Sequence, residues 1–261
     1  MRNKILFACL ASMLTVSAQT VTVSAPQQLL RGVETSVYNP KISPDGTQIV
    51  FNTDVNHGLK VYSFTDGVTS TIESADEMVL GVNYAANGAV AYQTARYSGA
   101  KLMRTDKTYG NAEAQRVAVE VSGSTLQVTV DGKVSTYSPV DCYAGYLSAS
   151  VSPNGKFILF QAAGKGVFVC DLKGNIVASL GKYELPAWCG NDYVVVQNAT
   201  DDGHQYHSTQ VLMIKADGSE TIELTKPVSM TFNPSASADG SKVVYNTIDG
   251  RLFLLNITIE K

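Results

Sequence analysis

The residues with the clearest potential for chemistry are two histidines in a polar stretch, His204 and His207, which follow Asp201 and Asp202. Imidazole and carboxylate groups together suit several divalent metal ions. A spacing of three would place both imidazoles on one face of a helix, but Gly203 and its polar neighbours indicate a loop between strands. The sequence offers no obvious further ligand. We therefore expect a solvated loop here, with no metal ion and no cofactor.

Motifs of hydrolytic enzymes are absent from the sequence. It contains no Gly-x-Ser-x-Gly elbow for a serine nucleophile and no paired-carboxylate motif for glycoside cleavage. Its Asp-Gly turns lack the residue that separates Asp from Gly in a sialidase-type Asp box. These absences favour a protein without catalytic residues. A small enzyme whose site is assembled from distant segments is the alternative.

Internal repetition indicates the elements that carry these residues. Residues 39–53 and 233–247 agree at eight of fifteen positions, and residues 150–160 form a third copy. Each copy has an Asp-Gly or Asn-Gly turn followed by a β-branched and aromatic run, which predicts a hairpin leading into a buried strand. Such turns recur about every 39 residues, a period typical of propeller blades. The glycines of these turns are Gly46, Gly88, Gly123, Gly155, Gly190 and Gly240.

The spacing predicts an all-β fold, a six-bladed β-propeller with four antiparallel strands in each blade. Five or seven blades remain open if the weak copy at residues 117–132 is miscounted. The strands at residues 20–24 and 250–257 are expected to pair, so that the two chain ends close the ring and leave no exposed edge there.

The Ser-Pro-Asp-Gly turn at residues 43–46 and the Pro-x-Trp at residues 186–188 resemble the repeats of the TolB-like (WD40-like) β-propeller family. The resemblance covers nearly all of residues 19–261. It implies a single propeller domain and a location in the periplasm of a Gram-negative bacterium. It is specific for fold and not for function, because many unrelated proteins share this architecture.

Candidate binding residues fall on one face of the expected propeller. We call it the mouth face: it is where the first strand of each unit begins and where the second-to-third-strand loops, such as residues 198–208, turn. Loops held by a rigid scaffold commonly carry function. The candidates are Tyr38, Asn39, Tyr143, Tyr146, Trp188, His204, Tyr206, His207, Phe232 and Asn233. For several of them a structural role is the alternative: caps for the two asparagines, packing for the tryptophan, and core or channel lining for Tyr143 and Tyr146.

The amino terminus has the pattern of a secretory signal peptide. Arg2 and Lys4 precede an apolar run at residues 5–16, and Val16-Ser17-Ala18 is a small-residue cleavage site, so residues 1–18 are expected to be removed. Leu6–Cys9 is only a weak match to a lipoprotein box. No other segment is apolar enough to span a membrane.

The charge and the cysteine content of the sequence bear on the class of partner and on disulfide bonding. The net charge is −3 and no basic cluster occurs, which argues against nucleic acid as a partner. Cys142, Cys170 and Cys189 remain after removal of residues 1–18, an odd number. Buried free thiols are expected in preference to a Cys170–Cys189 disulfide.

These features predict an exported, monomeric, non-enzymatic binding or scaffold propeller. It would recognise an envelope protein or a cell-wall component through the mouth face. The alternative is a small propeller enzyme or a carbohydrate-binding protein with its site in the central channel.

Overall fold

The computed structural model describes residues 20–32, 35–111, 113 and 115–260, so the expected signal peptide, residues 1–18, lies outside the described residues. Within them the chain is almost entirely β-structure, with 22 strands and one 3-10 turn at Pro227–Ser229. None of the described segments forms a helix long and apolar enough to cross a membrane.

Antiparallel hydrogen bonds join the strands into five sheets. Two short strands, β1 (Thr20–Val23) and β2 (Gln27–Gln28), belong to the last sheet. The first sheet contains β3 (Tyr38–Ile42), β4 (Gln48–Asn52), β5 (His57–Ser63), β6 (Thr69–Tyr84), β7 (Val90–Ser98) and β8 (Lys101–Tyr109). The second contains β9 (Val117–Ser122), β10 (Thr125–Val130) and β11 (Lys133–Tyr137).

The remaining strands follow in the same order along the chain. The third sheet contains β12 (Tyr146–Val151), β13 (Phe157–Ala162), β14 (Gly166–Asp171) and β15 (Ile176–Gly181). The fourth contains β16 (Glu184–Cys189), β17 (Tyr193–Asp201), β18 (Tyr206–Lys215) and β19 (Thr221–Glu223). The last contains β20 (Thr231–Ala236), β21 (Lys242–Thr247) and β22 (Leu252–Glu260) together with β1 and β2.

The long strand β6 belongs to two antiparallel units of the first sheet, β3–β6 and β6–β8. The amino-terminal part of β6 pairs with β5, with Thr69 opposite Tyr62, and its carboxy-terminal part pairs with β7, with Tyr84 opposite Val90. The unit of four strands expected from the repeat is therefore seen as a separate sheet only in β12–β15 and β16–β19.

Consecutive sheets pack face to face through clusters of buried apolar side chains. Val128 of β10 and Phe160 of β13 share one cluster, and Val169 of β14 and Ile214 of β18 share the next. Further clusters join the β16–β19 sheet to the last sheet, the last sheet to β3 and β4, and β4 and β5 to β6 and β7. Burial of this apolar surface is the main stabilising contribution to the fold.

The first and last described strands meet in the last sheet, as the sequence predicts. β1 pairs antiparallel with β22, with Thr20 opposite Glu260 and Val23 opposite Ile257. Val21 and Val23 pack against the cluster that contains buried Ile257. The first described strand therefore covers an edge that the last strand would otherwise leave open.

The β9–β11 sheet departs from the expected repeat. The Tyr146 amide, at the start of β12, donates to the Gly123 carbonyl at 2.8 Å. At the opposite end of β12, a Cβ placed on Gly155 would lie 3.7 Å from Val117. β9 thus runs antiparallel to β12, and the Gly123 turn lies at the opposite end from the Gly155 turn, so its assignment to the regular series of turns was wrong.

All three described cysteines are free and buried. The Cys142 thiol donates toward the carbonyls of Gly145 and Ala163, at 3.2 and 3.3 Å. Burial raises the pKa of both Cys170 and Cys189 to about 12, which keeps these thiols protonated at neutral pH. The expected free thiols are present, and there is no Cys170–Cys189 disulfide.

Candidate functional site

The mouth face is assembled by hydrogen bonds between strand starts and neighbouring hairpin loops. The Ala163 amide donates to the Gly145 carbonyl at 3.0 Å, which brings the β13–β14 loop to the start of β12. The Ile248 amide donates to the Met230 carbonyl at 3.2 Å, which brings the β21–β22 loop to the start of β20 in the same way. Residues distant in sequence therefore share this face.

The opposite face consists of turns whose polar groups are satisfied by one another. The Ser43 hydroxyl donates to the Asp45 carboxylate at 2.5 Å, and the Ser237 hydroxyl donates to Asp239 in the same way. The hydrogen bond from Ser43 holds the pKa of Asp45 below its usual range. These Ser-x-Asp-Gly turns serve hairpin formation and leave few groups available for a ligand.

Asn39 and Asn233 occupy equivalent left-handed positions near the starts of β3 and β20, with φ of 47° and 54°. Each lies in a bulge where the pairing register shifts and each precedes a proline. The Asn233 side chain donates to the Asn246 side chain at 3.0 Å, and Asn39 approaches Asn52 at 3.5 Å. Asparagine tolerates this backbone conformation better than most residues, so both have a structural role.

Buried side-chain amides at one position of the second strands bond to backbone groups farther along the chain, in the next sheet for Gln161 and Gln197 and within the same sheet for Asn52. The Leu185 amide donates to the Gln161 side chain and the Asn233 amide donates to the Gln197 side chain, each at 3.2 Å. The Asn52 side chain donates to the Val79 carbonyl at 3.4 Å. These residues were not among the predicted site residues, although a recurring Asn or Gln at the end of the apolar run of each repeat was a signal for them.

Three predicted site residues, Tyr206, Phe232 and Asn233, meet two that were not predicted, Glu184 and Gln197. We call these five residues the mouth cluster. The Tyr206 and Phe232 rings meet edge to face, with centroids 5.4 Å apart. The Gln197 side chain, which is 1% exposed, donates a hydrogen bond to the Glu184 carboxylate at 3.2 Å. Its carbonyl oxygen accepts a hydrogen bond from the backbone N–H of Asn233. The cluster therefore presents an aromatic pair beside a carboxylate that a buried amide holds in place.

Tyr206 is the most accessible member of the mouth cluster. Its side chain is 43% exposed. Partial burial, followed by the negative charges of Glu184 and Asp201, raises the pKa of its hydroxyl. The phenol therefore stays protonated at neutral pH and is available as a hydrogen-bond donor.

Two of the predicted residues lie in the core and are unavailable to a partner at the surface. The Tyr146 hydroxyl donates to the Val140 carbonyl at 2.7 Å and accepts the amide of the same residue. Trp188 packs with Val169 and Ile214, and its indole donates to the Ser150 carbonyl at 3.2 Å. Packing against neighbouring sheets explains both side chains.

The loop with the two histidines is a set of tight turns. Asp202 accepts the amides of His204 and Gln205, both at 2.9 Å, and lies 3.2 Å from the His207 imidazole. These backbone hydrogen bonds, the one from Gln205 first, lower the pKa of Asp202. Among the described residues no group of three or more His, Cys, Asp or Glu side chains is arranged to hold a metal ion.

Exposed apolar side chains are concentrated on the mouth face. Tyr143 is fully exposed. Val228 is 87% exposed, although valine usually buries most of its surface. Tyr38 is only half-buried. The exposed apolar residues at mouth-face loops and strand starts are Val55, Tyr97, Tyr143, Leu147, Leu185, Tyr206, Val228 and Ile248. Of these, Tyr143 and Tyr206 were predicted from the sequence, whereas Tyr97 and the aliphatic residues were not.

A cavity of about 510 Å³ contains none of the residues of the mouth cluster. It is lined mainly by hydroxyl groups together with Asp54, Lys60 and Glu73. The Tyr92 hydroxyl donates to Glu73 at 2.7 Å, so this carboxylate already has a protein partner. The cavity contains none of the predicted site residues.

Comparison with known proteins places the fold. The sequence matches no known protein family and no curated protein. Among solved structures, the chain is similar to the β-propeller domain of Cps50 (Swd1) from Myceliophteria thermophila, with a TM-score of 0.60, 7% identity, and 90% of this chain and 100% of that chain covered. It is also similar to a chain of the mitotic checkpoint complex, with a TM-score of 0.52, 9% identity and 98% of both chains covered. The chain therefore has a β-propeller fold.

Proposed function

We propose that this protein is an exported, non-enzymatic binding propeller with six blades of the TolB-like type, which recognises a protein of the cell envelope through its mouth face. The six blades follow if β6 is counted in two of them, since the units β3–β6 and β6–β8 then join the four other sheets. The TolB-like repeat and the signal-peptide pattern at residues 1–18 support export to the periplasm.

The observation that carries the proposal is the contrast between the two faces. The mouth face exposes Leu185, Tyr206, Val228 and Ile248, whereas the opposite turns satisfy their own polar groups. Exposed apolar side chains grouped on one face commonly mark a surface that binds another protein. A similar structure comes from a multi-protein complex, which agrees with this use of the fold.

A second candidate function rests on the mouth cluster alone. An aromatic pair beside a carboxylate and an amide can also hold a sugar ring, since apolar stacking and polar hydrogen bonds are combined there. The aromatic pair and the Glu184 carboxylate held by Gln197 support binding of a carbohydrate.

Cross-linking in intact cells tests the first proposal. The protein carries a tag in the Asp217–Gly218 turn, and captured partners are identified by mass spectrometry. We expect Leu185→Ser combined with Val228→Ser to abolish capture of one reproducible envelope protein. The matched control is Val68→Ser combined with Ile176→Ser, two side chains that are 52% and 43% exposed outside the mouth face.

Capture by the wild type and by the two double variants distinguishes the two candidate functions. Equal capture by wild type and by both double variants would refute recognition through the mouth face. No captured protein, together with glycan binding that is lost in Tyr206→Ala, would favour the second candidate. Fractionation of the same cells tests export, since recovery of the protein only in the cytoplasm would refute it.

A further inference from the structure

The strand β8 has an uncovered outer edge. The third strand is covered in four other units: β5 by β6, β14 by β15, β18 by β19, and β22 by β1 and β2. Within the described residues the five-residue strand β11 pairs only with β10 and is likewise uncovered. β8 pairs only with β7. In an antiparallel strand every second residue directs its N–H and C=O groups away from the paired neighbour. No hydrogen bond found in the described part of the chain uses that side of β8.

This edge is longer than the other outer edges. β8 pairs over nine consecutive residues, from Lys101 opposite Ser98 to Tyr109 opposite Val90, with no shift in register. The outer strands β19 and β2 have three and two residues, and β15 pairs with two register shifts. Short or bulged edges discourage pairing with another chain, and β8 has neither protection.

The charges on β8 have an ordered arrangement. Lys101, Arg104 and Lys107 are exposed and form no ion pair within the described residues. Asp106 accepts the Gln93 side chain through Oδ1 at 2.9 Å, and its Oδ2 has no partner there. Arg104 and Asp106 are two residues apart, so they lie on the same face of the sheet.

We propose that the β8 edges of two copies of this chain pair antiparallel about a two-fold axis at Thr105. Such an axis stands perpendicular to the sheet, so residues equally distant from Thr105 face each other across the interface. Arg104 then faces Asp106 of the second copy, and Asp106 faces Arg104 of the second copy. Lys107 lies against Met103 of the second copy, and the nine residues overlap completely.

Shifted registers are disfavoured by charge. An axis at Arg104 places the two copies of Arg104 opposite each other and sets Lys101 against Lys107. An axis at Asp106 brings two carboxylates together. Like charges directly opposite in a sheet are destabilising, whereas opposite charges stabilise the pair. The sequence of β8 therefore selects the register in which the overlap is complete.

The expected dimer is weak and leaves the mouth face available. Two paired strands bury less than the roughly 1,600 Å² of a typical stable interface, so association is expected only at high protein concentration. This dimer would replace the monomer expected from the sequence. The inference is independent of the proposed function because β8 lies at the outer edge of its sheet.

Sedimentation velocity over a concentration series, up to about 0.5 mM, tests the pairing. We expect wild type to dimerise, and Arg104→Asp or Asp106→Arg alone to raise the dissociation constant at least about tenfold, since each puts like charges opposite each other twice. An equimolar mixture of the two variants should form a heterodimer, because every opposed pair is then complementary. The double variant, Arg104→Asp with Asp106→Arg, should regain the wild-type dissociation constant.

Either of two results would overturn the inference. One is a wild-type protein that stays monomeric throughout the series, which would leave the edge to an acidic segment of another protein. The other is a dimer that both single reversals leave unchanged, which would place its interface elsewhere. Circular dichroism of each variant checks that the fold is retained, and recovery by mixing cannot arise from misfolded components.

Discussion

The buried amide of Gln197 should be among the most sensitive polar groups on the mouth face, and Gln197→Leu measures its contribution. The substitution removes the amide group and leaves the backbone N–H of Asn233 without its acceptor and Glu184 without its donor. A stranded, partly buried N–H costs about 1–3 kcal/mol, and loss of the bond to partly exposed Glu184 adds up to about 1 kcal/mol. We therefore expect the free energy of unfolding to fall by about 2–3 kcal/mol.

Gln93→Leu is the matched control for this prediction. Gln93 occupies the equivalent position in β7, but its side chain donates to exposed Asp106, where water can replace it. Gln93→Leu should lower the free energy of unfolding by less than about 1 kcal/mol. Urea unfolding gives both values, and an unchanged m-value would show that the unfolded state is unaffected. For a chain of this size the loss corresponds to roughly 5–10 °C in Tm.

A third substitution separates the acceptor from the donor. Gln197→Glu keeps an oxygen for the Asn233 amide but places a second carboxylate beside Glu184. One of the two pKa values should then rise in the folded state, so the variant should lose stability as pH increases from about 4 to 7. If Gln197→Leu destabilises the protein no more than Gln93→Leu, the role assigned to the buried amides is wrong.

Three further predictions concern the ends of the chain, the turns and the thiols. Deleting residues 20–24 should lower the free energy of unfolding by about 2–4 kcal/mol relative to a chain that begins at residue 19, because Val21 and Val23 leave the cluster around Ile257; urea unfolding with no loss would contradict closure by β1. Because Asp45 has a lowered pKa, the stability that it contributes is present above the ordinary carboxyl pKa of about 3.9 and is lost as pH falls below it. Asp45→Asn, which copies the natural Asn154, should therefore differ most from wild type near pH 6 and least near pH 2 in thermal unfolding. Cys170 and Cys189 should react with a thiol reagent at pH 8 only at the rate of unfolding, and rapid labelling of the native protein would refute their burial.

Much of the fold follows from local signals in the sequence. Hairpin turns such as residues 43–46 combine a glycine with an Asp that bonds the adjacent backbone, and the apolar run that follows has the composition of a buried strand. The direction of β9 could not be predicted from these local signals. A Gly turn has the same composition at either end of a sheet, so the Gly123 turn could be assigned to a face only by its contact with Tyr146.

The site was less predictable than the fold. Tyr206, Phe232 and Asn233 were found because they lie where the repeat places a strand start or a long loop. Tyr146 and Trp188 occupy similar places in sequence, but their rings turn into the core, and composition does not reveal side-chain direction. Glu184 and Gln197 were missed because each acquires its role through partners 13 or more residues away.

The pairing of β1 with β22 also affects how the protein reaches its folded state. Thr20 pairs with Glu260, so β1 leaves the ribosome long before its partner strand β22 is synthesised. Closing so long a loop is slow, since its entropy cost must be met before the contact forms. During that interval β22 is unmade and β1 is an open strand, vulnerable to aggregation. A chain exported unfolded would meet the same delay after translocation, so a chaperone that shields β1 should raise the yield more than one that shields an internal sheet.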